Sequence, residues 1–502
     1  MKAAAWFERP EKVLAAFIGF SLLAWTIQCS LLQNVLGIDI YETIVWGEQF
    51  QWGNSKHPPL SGWIGYFFSA ATGHSDWGMY LAAQLCISLG VFFTFKLARM
   101  FFDAFRAATA ALLLYFLIYY TPSEMKFSTY FVEMAVAPAA SYLMLRALRE
   151  NRLYLWLILG GVCGLGMLNK YSFALVLAAF FIIMATGREY RRRFASPGPY
   201  CAVLMLLLVI SPHVKWLAEH DFICFKHVGG RLKEEHDLLM PLYVLLAALY
   251  PVAMETLVLL VSGIRRAGEG GWKRRFAEAA KLLPGGARTD IDRAALHFSA
   301  PLSLLPGAAY LLLSLTGTDI ILMWLCSTAS ASGILVLSLF PVKIDASRFK
   351  RIALLLAVYV GIVFAATTLD LMFRTVKSLH LDPHAVVAEA ETFWRGRSAE
   401  PIRVVVGGLR YAALFDHYSP GHPPVCDPED ELAIGLYRER IQKYGALLID
   451  RDAAEIDKIL IRVEAPEKPK PETLRVSYRS LFGRRRVCTF AVAYLPPGTR
   501  IK

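Results

Sequence analysis

The chain has 502 residues, of which 56% are hydrophobic and only 19% charged, with a mean hydropathy of +0.43. Soluble domains carry about 45–50% apolar and about 25% charged residues, so this composition excludes an ordinary soluble enzyme, a disordered chain, a coiled coil and a disulfide miniprotein. The net charge of +12 comes from 53 Lys and Arg against 41 Asp and Glu; no basic stretch is interleaved with aromatics as nucleic-acid sites require, so nucleic acid is not an expected partner. The surplus instead suits cytoplasmic loops facing anionic membrane lipids.

Apolar runs follow one another near residues 13–33, 77–97, 104–121, 129–146, 153–169, 172–186, 199–214, 240–262, 298–316, 319–341 and 352–369. A bilayer needs about 20 apolar residues per helical crossing, which predicts about eleven transmembrane helices in a domain covering 1–370. No cleavable signal peptide is visible, and the first run is long enough to remain as a span. The N-terminus and the loops at 96–106, 146–152, 187–194, 264–297 and 343–351 hold about 25 Lys and Arg, against about six in the loops at 34–62, 121–128, 214–239 and 317–318. The positive-inside rule puts the first set in the cytoplasm. The 264–297 segment reads as a basic cytoplasmic loop lying on the membrane surface. Residues 371–502 regain a soluble composition, and "PIRVVVGGLRYAALFDHYSP", "YGALLIDRD" and "RRVCTFAVAYLPP" read as strand–turn–helix, strand and strand. This is a small C-terminal α/β domain on the outer side, with "EAPEKPKPETL" as a Pro- and charge-rich loop inside it.

Polar chemistry concentrates in the first outer loop, "GIDIYETIVWGEQFQWGNSKHPPLSGW". Asp39 and Glu42 are three residues apart and share one face of a helix. Lys56 and His57 follow, and Pro58–Pro59 are expected to hold them in a rigid extended segment. Trp46, Trp52 and Trp63 suit the headgroup interface. Carboxylates and cations held together beside a bilayer fit chemistry on an anionic lipid. Lys170 stands at the outer end of the fifth run, where it either serves a lipid phosphate or snorkels to the interface. The loop at 213–239 carries His213, His220, Asp221, His227, Arg231 and His236. These histidine spacings match no compact ligand motif. The loop reads as part of an acceptor cleft, with Arg231 as a phosphate or carboxylate clamp. No CxxC pair occurs among the eight Cys; Cys426 and Cys488 lie in the tail, and a disulfide between them is one option in an oxidising compartment.

The pattern D-x-x-E-x-x-x-W-G…W-G-x-x-K-H-P-P-L-x-x-W from Asp39 to Trp63 resembles the first-loop signature of GT-C fold membrane glycosyltransferases. These are the dolichyl-phosphate-mannose protein mannosyltransferase-like group, which includes bacterial aminoarabinose and galacturonic acid transferases acting on lipid A or core sugars. "GLGMLNKY" at Gly164–Tyr171 and "SPHVKWLAEHDF" at Ser211–Phe222 resemble two further segments of that group. The group often has Asp and Glu adjacent, whereas here Ile40 follows Asp39, which leaves Asp39 as the aligned catalytic acid.

The resemblance implies a polyprenyl-phosphate sugar donor, inversion at the anomeric carbon, and an acceptor such as lipid A, core oligosaccharide or another glycan. It places the protein in a bacterial inner membrane with its active site on the periplasmic side. Asp39 is then the catalytic residue, and Glu42, Lys56, His57, Lys170, Tyr171, His213, His220 and Arg231 are the substrate-binding candidates. The sequence names no definite cofactor; a divalent cation bridging donor phosphate and acids is the one candidate. Three other readings remain: a transporter or flippase of a lipid-linked sugar, for which Glu133 and Glu255 are the candidate buried acids; a protein O-mannosyltransferase; and a regulatory membrane protein using its tail as a binding module.

Overall fold

The computed structural model describes residues 6–121, 126–229, 237–263, 290–340, 342–373, 381–466, 468–479 and 485–501. Among them, eight helices are long and apolar enough to cross a membrane: Pro10–Leu32, Asp76–Ala98, Thr129–Glu150, Gly198–Glu219, Met240–Gly263, Asp292–Leu315, Leu322–Leu339 and Ala346–Phe373. Three shorter apolar helices, Ala104–Leu114, Leu153–Asn169 and Tyr171–Thr186, fall on the remaining apolar runs. Every run read from the sequence therefore contains a helix. The protein is a polytopic α-helical membrane protein with a small C-terminal sheet domain. Most of the basic 264–297 segment lies outside the described residues.

The chain forms two compact units. The first comprises 1–25, 83–125 and 129–367, which is most of the helical bundle. The second comprises 26–82, 126–128 and 368–502. It brings together the first outer loop, part of the second and the tail, three segments that the Lys/Arg asymmetry assigns to one side.

Within the second unit, the first outer loop is a helical hairpin rather than an extended segment. Helix Ile38–Glu48 is followed by a short turn and by helix Leu60–Ala71. The prolines do not hold an extended strand. Pro59 takes helical dihedrals (φ −82°, ψ −18°) and caps the second helix, because proline is well tolerated where the first-turn N–H has no partner anyway. The two helices cross at glycines: a Cβ on Gly47 would lie 2.1 Å from the Gly62 carbonyl oxygen, and one on Gly62 would lie 3.1 Å from both the Gly47 nitrogen and Trp46 Cβ. Only hydrogen at these positions allows the backbones to approach so closely.

The tail is a five-stranded sheet of order β2-β1-β3-β5-β4, with β1 Val405–Val406, β2 Val425–Cys426, β3 Ala446–Asp450, β4 Glu472–Arg479 and β5 Arg485–Leu495. β1 pairs in parallel with β2 and β3, and β5 pairs antiparallel with β3 and β4. One face, from Val406, Cys426, Leu448, Ala491, Ala493 and Leu495, packs against helices Glu431–Tyr444 and Ala453–Arg462. The other carries Trp394 of helix Pro383–Arg395 on Tyr494 and Tyr411 of helix Leu409–Tyr418 on Phe490. The helices start where short acids satisfy first-turn N–H groups: Asp382 accepts from Ala385, Asp430 from Leu432 and Asp452 from Glu455. Gly445, at φ +74°, ends one of them.

The register settles the disulfide question. Cys426 on β2 and Cys488 on β5 are separated by β1 and β3, about 14 Å at roughly 4.8 Å per strand. That is beyond the reach of any disulfide.

The eleven crossings and the basic N-terminal side read from the sequence predict that reporter fusions after Lys12 and after Asp382 report opposite compartments. Two fusions reporting the same side would rule out an odd number of crossings.

Candidate active site

The residues singled out in the sequence form two sets, one in each unit. In the second unit, Asp39 and Glu42 lie in the first turns of helix Ile38–Glu48, where the helix dipole favours carboxylates. Asp39 is half-buried, and its carboxyl makes no hydrogen bond or ion pair among the described residues. Glu42 accepts from Lys56 Nζ at 2.5 Å. Burial pushes the Glu42 carboxyl above its ordinary range against the pull of Lys56. Burial also works against the Lys56 charge, but Glu42, followed by Asp427 and Asp430, outweighs it and holds the ammonium protonated above its usual range. Lys56 thus stands in an acidic surround contributed by both the hairpin and the tail.

Asn54 sets the geometry of this cation. Its side-chain oxygen accepts from the backbone N–H of Lys56 at 2.9 Å and of His57 at 2.7 Å, while its own N–H donates to the His57 carbonyl at 3.1 Å. This Asx turn aims the Lys56 stem at Glu42 and seats His57 edge-on against Trp46, 5.7 Å between ring centres. Around the turn, Trp63 packs on Trp52 and Phe50.

The hairpin, and Asp76 at the start of the next helix, are tied to the tail. Tyr437 donates to Glu48 at 2.5 Å, Tyr418 to Asp76 at 3.0 Å and Tyr41 to Tyr418 at 3.2 Å. His417 Nε2 lies 2.9 Å from Asp76 Oδ1. The Asp416 carboxyl, 3% exposed, is pushed up to about 8 by burial and then by Glu48.

In the first unit, Lys170 ends helix Leu153–Asn169 and is only 6% exposed. It does not snorkel. Its Nζ lies 4.0 Å from Glu133, 4.1 Å from the Tyr130 ring centre and 5.4 Å from that of Trp324, a cation held by a carboxylate and two π faces. Glu133, a transporter candidate in the sequence, is therefore taken up by Lys170, and Glu255 accepts from Ser332 at 2.7 Å. His213 is not in a loop. Helix Gly198–Glu219 runs through it, and Tyr171 OH meets its Nε2 at 2.8 Å. The rings stack in a ladder: Phe225 on Tyr171, Tyr171 on His213, His213 on Trp216, and Trp216 on His220 with centres 4.3 Å apart.

Arg231 and His236 lie outside the described residues. No group of three or more His, Cys, Asp or Glu placed to hold a metal ion occurs among the described residues, so the divalent-cation candidate gains no ligand set there. Sequence reasoning missed Asn54, although an Asn two residues before a Lys-His-Pro-Pro turn is a recognisable Asx signal. It also missed Asp427 and Asp430, for which no local signal exists.

Known proteins resemble this architecture. Residues 56–216 match the family described as dolichyl-phosphate-mannose-protein mannosyltransferase. The lipopolysaccharide core galacturonosyltransferase RgtA of Rhizobium johnstonii is 25% identical over 189 residues, which is 37% of this chain and 38% of that relative. The matched stretch thus spans well under half of RgtA. Crystal structures of ArnT from Cupriavidus metallidurans share the fold: the apo form has a TM-score of 0.60 at 14% identity over 98% of both chains. The form bound to undecaprenyl phosphate has a TM-score of 0.59 at 14% identity, covering 95% of this chain and 97% of ArnT. The fold is the GT-C fold.

Asn54→Ala removes the acceptor of two backbone N–H groups in a buried turn. We expect a loss of about 1–3 kcal/mol, seen as a lower unfolding midpoint and as faster hydrogen exchange confined to residues 50–60. An unchanged exchange pattern there would show that Asn54 does not organise the turn.

Proposed function

We propose that this chain is an inverting glycosyltransferase. It moves a sugar from a polyprenyl-phosphate donor to an envelope acceptor such as lipid A or lipopolysaccharide core, on the periplasmic face of a bacterial inner membrane. The observation that carries the reading is the arrangement of Asp39, Glu42 and Lys56: an unengaged carboxylate one helical turn from Glu42, which holds the partly buried ammonium of Lys56. The family match begins at Lys56, an ArnT structure of the same fold binds undecaprenyl phosphate, and RgtA is named for transfer to lipopolysaccharide core; all three point the same way. A lipid-linked glycan acceptor is preferred to protein because the first loop resembles the lipid A and core group more than the protein mannosyltransferases.

In this reading the donor phosphate displaces Glu42 from Lys56. The acceptor hydroxyl attacks the anomeric carbon from the face opposite the phosphate, its proton passing to Asp39. The carbon–oxygen bond to phosphate breaks, and its electron pair stays on the polyprenyl phosphate. Charge grows on that oxygen in the transition state, so a fixed cation such as Lys56 lowers the barrier. Asp39 makes no competing hydrogen bond among the described residues, which suits a general base. His57, held beside Lys56 by the same turn, adds a second donor toward the phosphate. Lys170, Tyr171, His213 and His220 serve the substrates from the bundle.

Purified protein incubated with a polyprenyl-phosphate sugar and acceptor lipid should release free polyprenyl phosphate, which a transporter would not. Asp39→Asn is expected to lower transfer by a factor of about 10² to 10⁴ with donor binding largely intact. Lys56→Ala should weaken donor binding as well as turnover, because the ground-state phosphate is already anionic. Transfer by Asp39→Asn within about threefold of the parent would remove Asp39 from the mechanism.

A further inference from the structure

Three histidines meet where the first outer loop faces the tail, and the transferase reading uses none of them. His74 lies between helix Leu60–Ala71 and helix Asp76–Ala98, whereas His417 ends helix Leu409–Tyr418 of the tail and His422 follows it. All three belong to the second unit. The His74 and His422 rings stack with centres 3.8 Å apart and planes 21° apart. His417 is buried and stands edge-on to His74, 6.0 Å between centres.

With neutral rings, every N–H of this cluster finds an acceptor. His417 Nε2 lies 2.9 Å from Asp76 Oδ1; a carboxylate only accepts, so this nitrogen carries the hydrogen. His417 Nδ1 then accepts from Ser69 Oγ at 3.3 Å. The same hydroxyl lies 3.2 Å from His74 Nδ1 and, its own hydrogen being given to His417, accepts from His74. His422 Nδ1 donates to the Asp416 carbonyl at 2.6 Å. Tyr418 donates to Asp76 and Tyr41 to Tyr418, so the chain of bonds reaches helix Ile38–Glu48, which carries Asp39 and Glu42. The turns presenting the stacked rings are held as well. The His74 N–H donates to the Ser69 carbonyl at 2.7 Å and the His422 N–H to that of Ser419 at 3.1 Å, both residues being left-handed, at φ +54° and +40°.

An additional proton has no such place. Neither stacked ring makes an ion pair among the described residues, where His417 with Asp76 is the one histidine pair. The acids around them are engaged elsewhere, Asp76 by His417 and Tyr418 and Glu391 by Ser419. His384 packs edge-on against Tyr418, 5.2 Å between centres, and brings no negative charge. Burial, followed by His422 and His417, pushes the His74 ring down to about 4.

We propose that the stacked His74 and His422 are an acid-sensitive latch between the first outer loop and the tail, closed with neutral rings and opened when they take up protons. Once loop and tail part, His74 returns to its ordinary value of 6.5. Between about pH 6.5 and about pH 4 the open form therefore binds a proton that the closed form excludes, and closure weakens as the pH falls. The upper bound is about tenfold per pH unit; solvent screens the half-buried ring, which leaves about tenfold in all down to pH 5. Asp416 responds in the opposite sense. Burial, followed by Glu48, pushes its carboxyl up to about 8, which favours closure as the pH falls. A comparison that changes only the histidines separates the two.

Amide hydrogen exchange of the full-length protein in nanodiscs, read by mass spectrometry and corrected for its intrinsic pH dependence, tests the latch. On going from pH 7.5 to pH 5, peptides spanning 69–76 and 417–424 should lose about tenfold more protection in the parent than in His74→Asn/His422→Asn. Asparagine accepts the left-handed backbone of both positions and does not titrate. The single variant His422→Asn, which leaves the Ser69 contacts in place, should lose about threefold less than the parent. Peptides from 453–462 should respond alike in all three proteins. A pH response as large in the double variant as in the parent would overturn the proposal, as would a full parental response in His422→Asn. An excess loss in the parent that extends to 453–462 would overturn it too, by making the transition an unfolding of the tail. If the double variant lacks protection already at pH 7.5, the comparison of the parent with His422→Asn decides.

Discussion

A lysine taken partly out of water must be paired, and the second unit is arranged around that requirement at Lys56. Its ammonium sits on Glu42 with Asp427 and Asp430 farther out, so it stays charged although burial works against it. Breaking such a pair by removing one partner leaves an uncompensated charge in a poorly solvated place. An incoming phosphate does not break the pair in that sense; it replaces one anion by another. In the proposed function, such an exchange favours a phosphate-bearing lipid over neutral groups.

The surrounding structure serves to keep this cation fixed. The Asx turn at Asn54 sets the direction of the Lys56 stem. The crossing at Gly47 and Gly62 lets helix Ile38–Glu48 lie against helix Leu60–Ala71, and so holds the loop that carries Lys56 beside the helix that carries Glu42. The tail then locks the hairpin through Tyr437 on Glu48 and Tyr418 on Tyr41, and holds the start of the next helix through Tyr418 and His417 on Asp76. Each contact is ordinary in strength. Together they preorganise charge before substrate arrives, which is where electrostatic catalysis gains most.

Much of this was legible in the sequence because the bilayer is a demanding solvent. The eleven apolar runs, the tail and strands β3 and β5 follow from length and period alone. Strand β4 was hidden: "ETLRVSYR" adjoins a Pro- and charge-rich stretch, and its polar alternation reads as loop. Helix Leu60–Ala71 was hidden by Pro58–Pro59, which read as a stop although proline also starts helices. In the site, Asp39, Glu42 and Lys56 stood out because charges beside a membrane are costly and few. The role of Asp427 and Asp430 was not legible, because they reach Lys56 only through tertiary packing of the tail on the first loop. Lys170 shows the opposite limit. Its position at a span end suggested a snorkelling side chain, and only packing reveals the Glu133, Tyr130 and Trp324 cage that holds it inside.

The central claim is that Lys56 exchanges Glu42 for the donor phosphate. Equilibrium binding of undecaprenyl phosphate to the parent, Glu42→Gln, Lys56→Gln and the double variant tests it most directly. Freeing Lys56 should make Glu42→Gln bind about tenfold more tightly, whereas Lys56→Gln and the double variant should be equally weak, the Glu42 effect disappearing once its partner is gone. Weaker or unchanged binding by Glu42→Gln, or a Glu42 effect that persists without Lys56, would contradict the account.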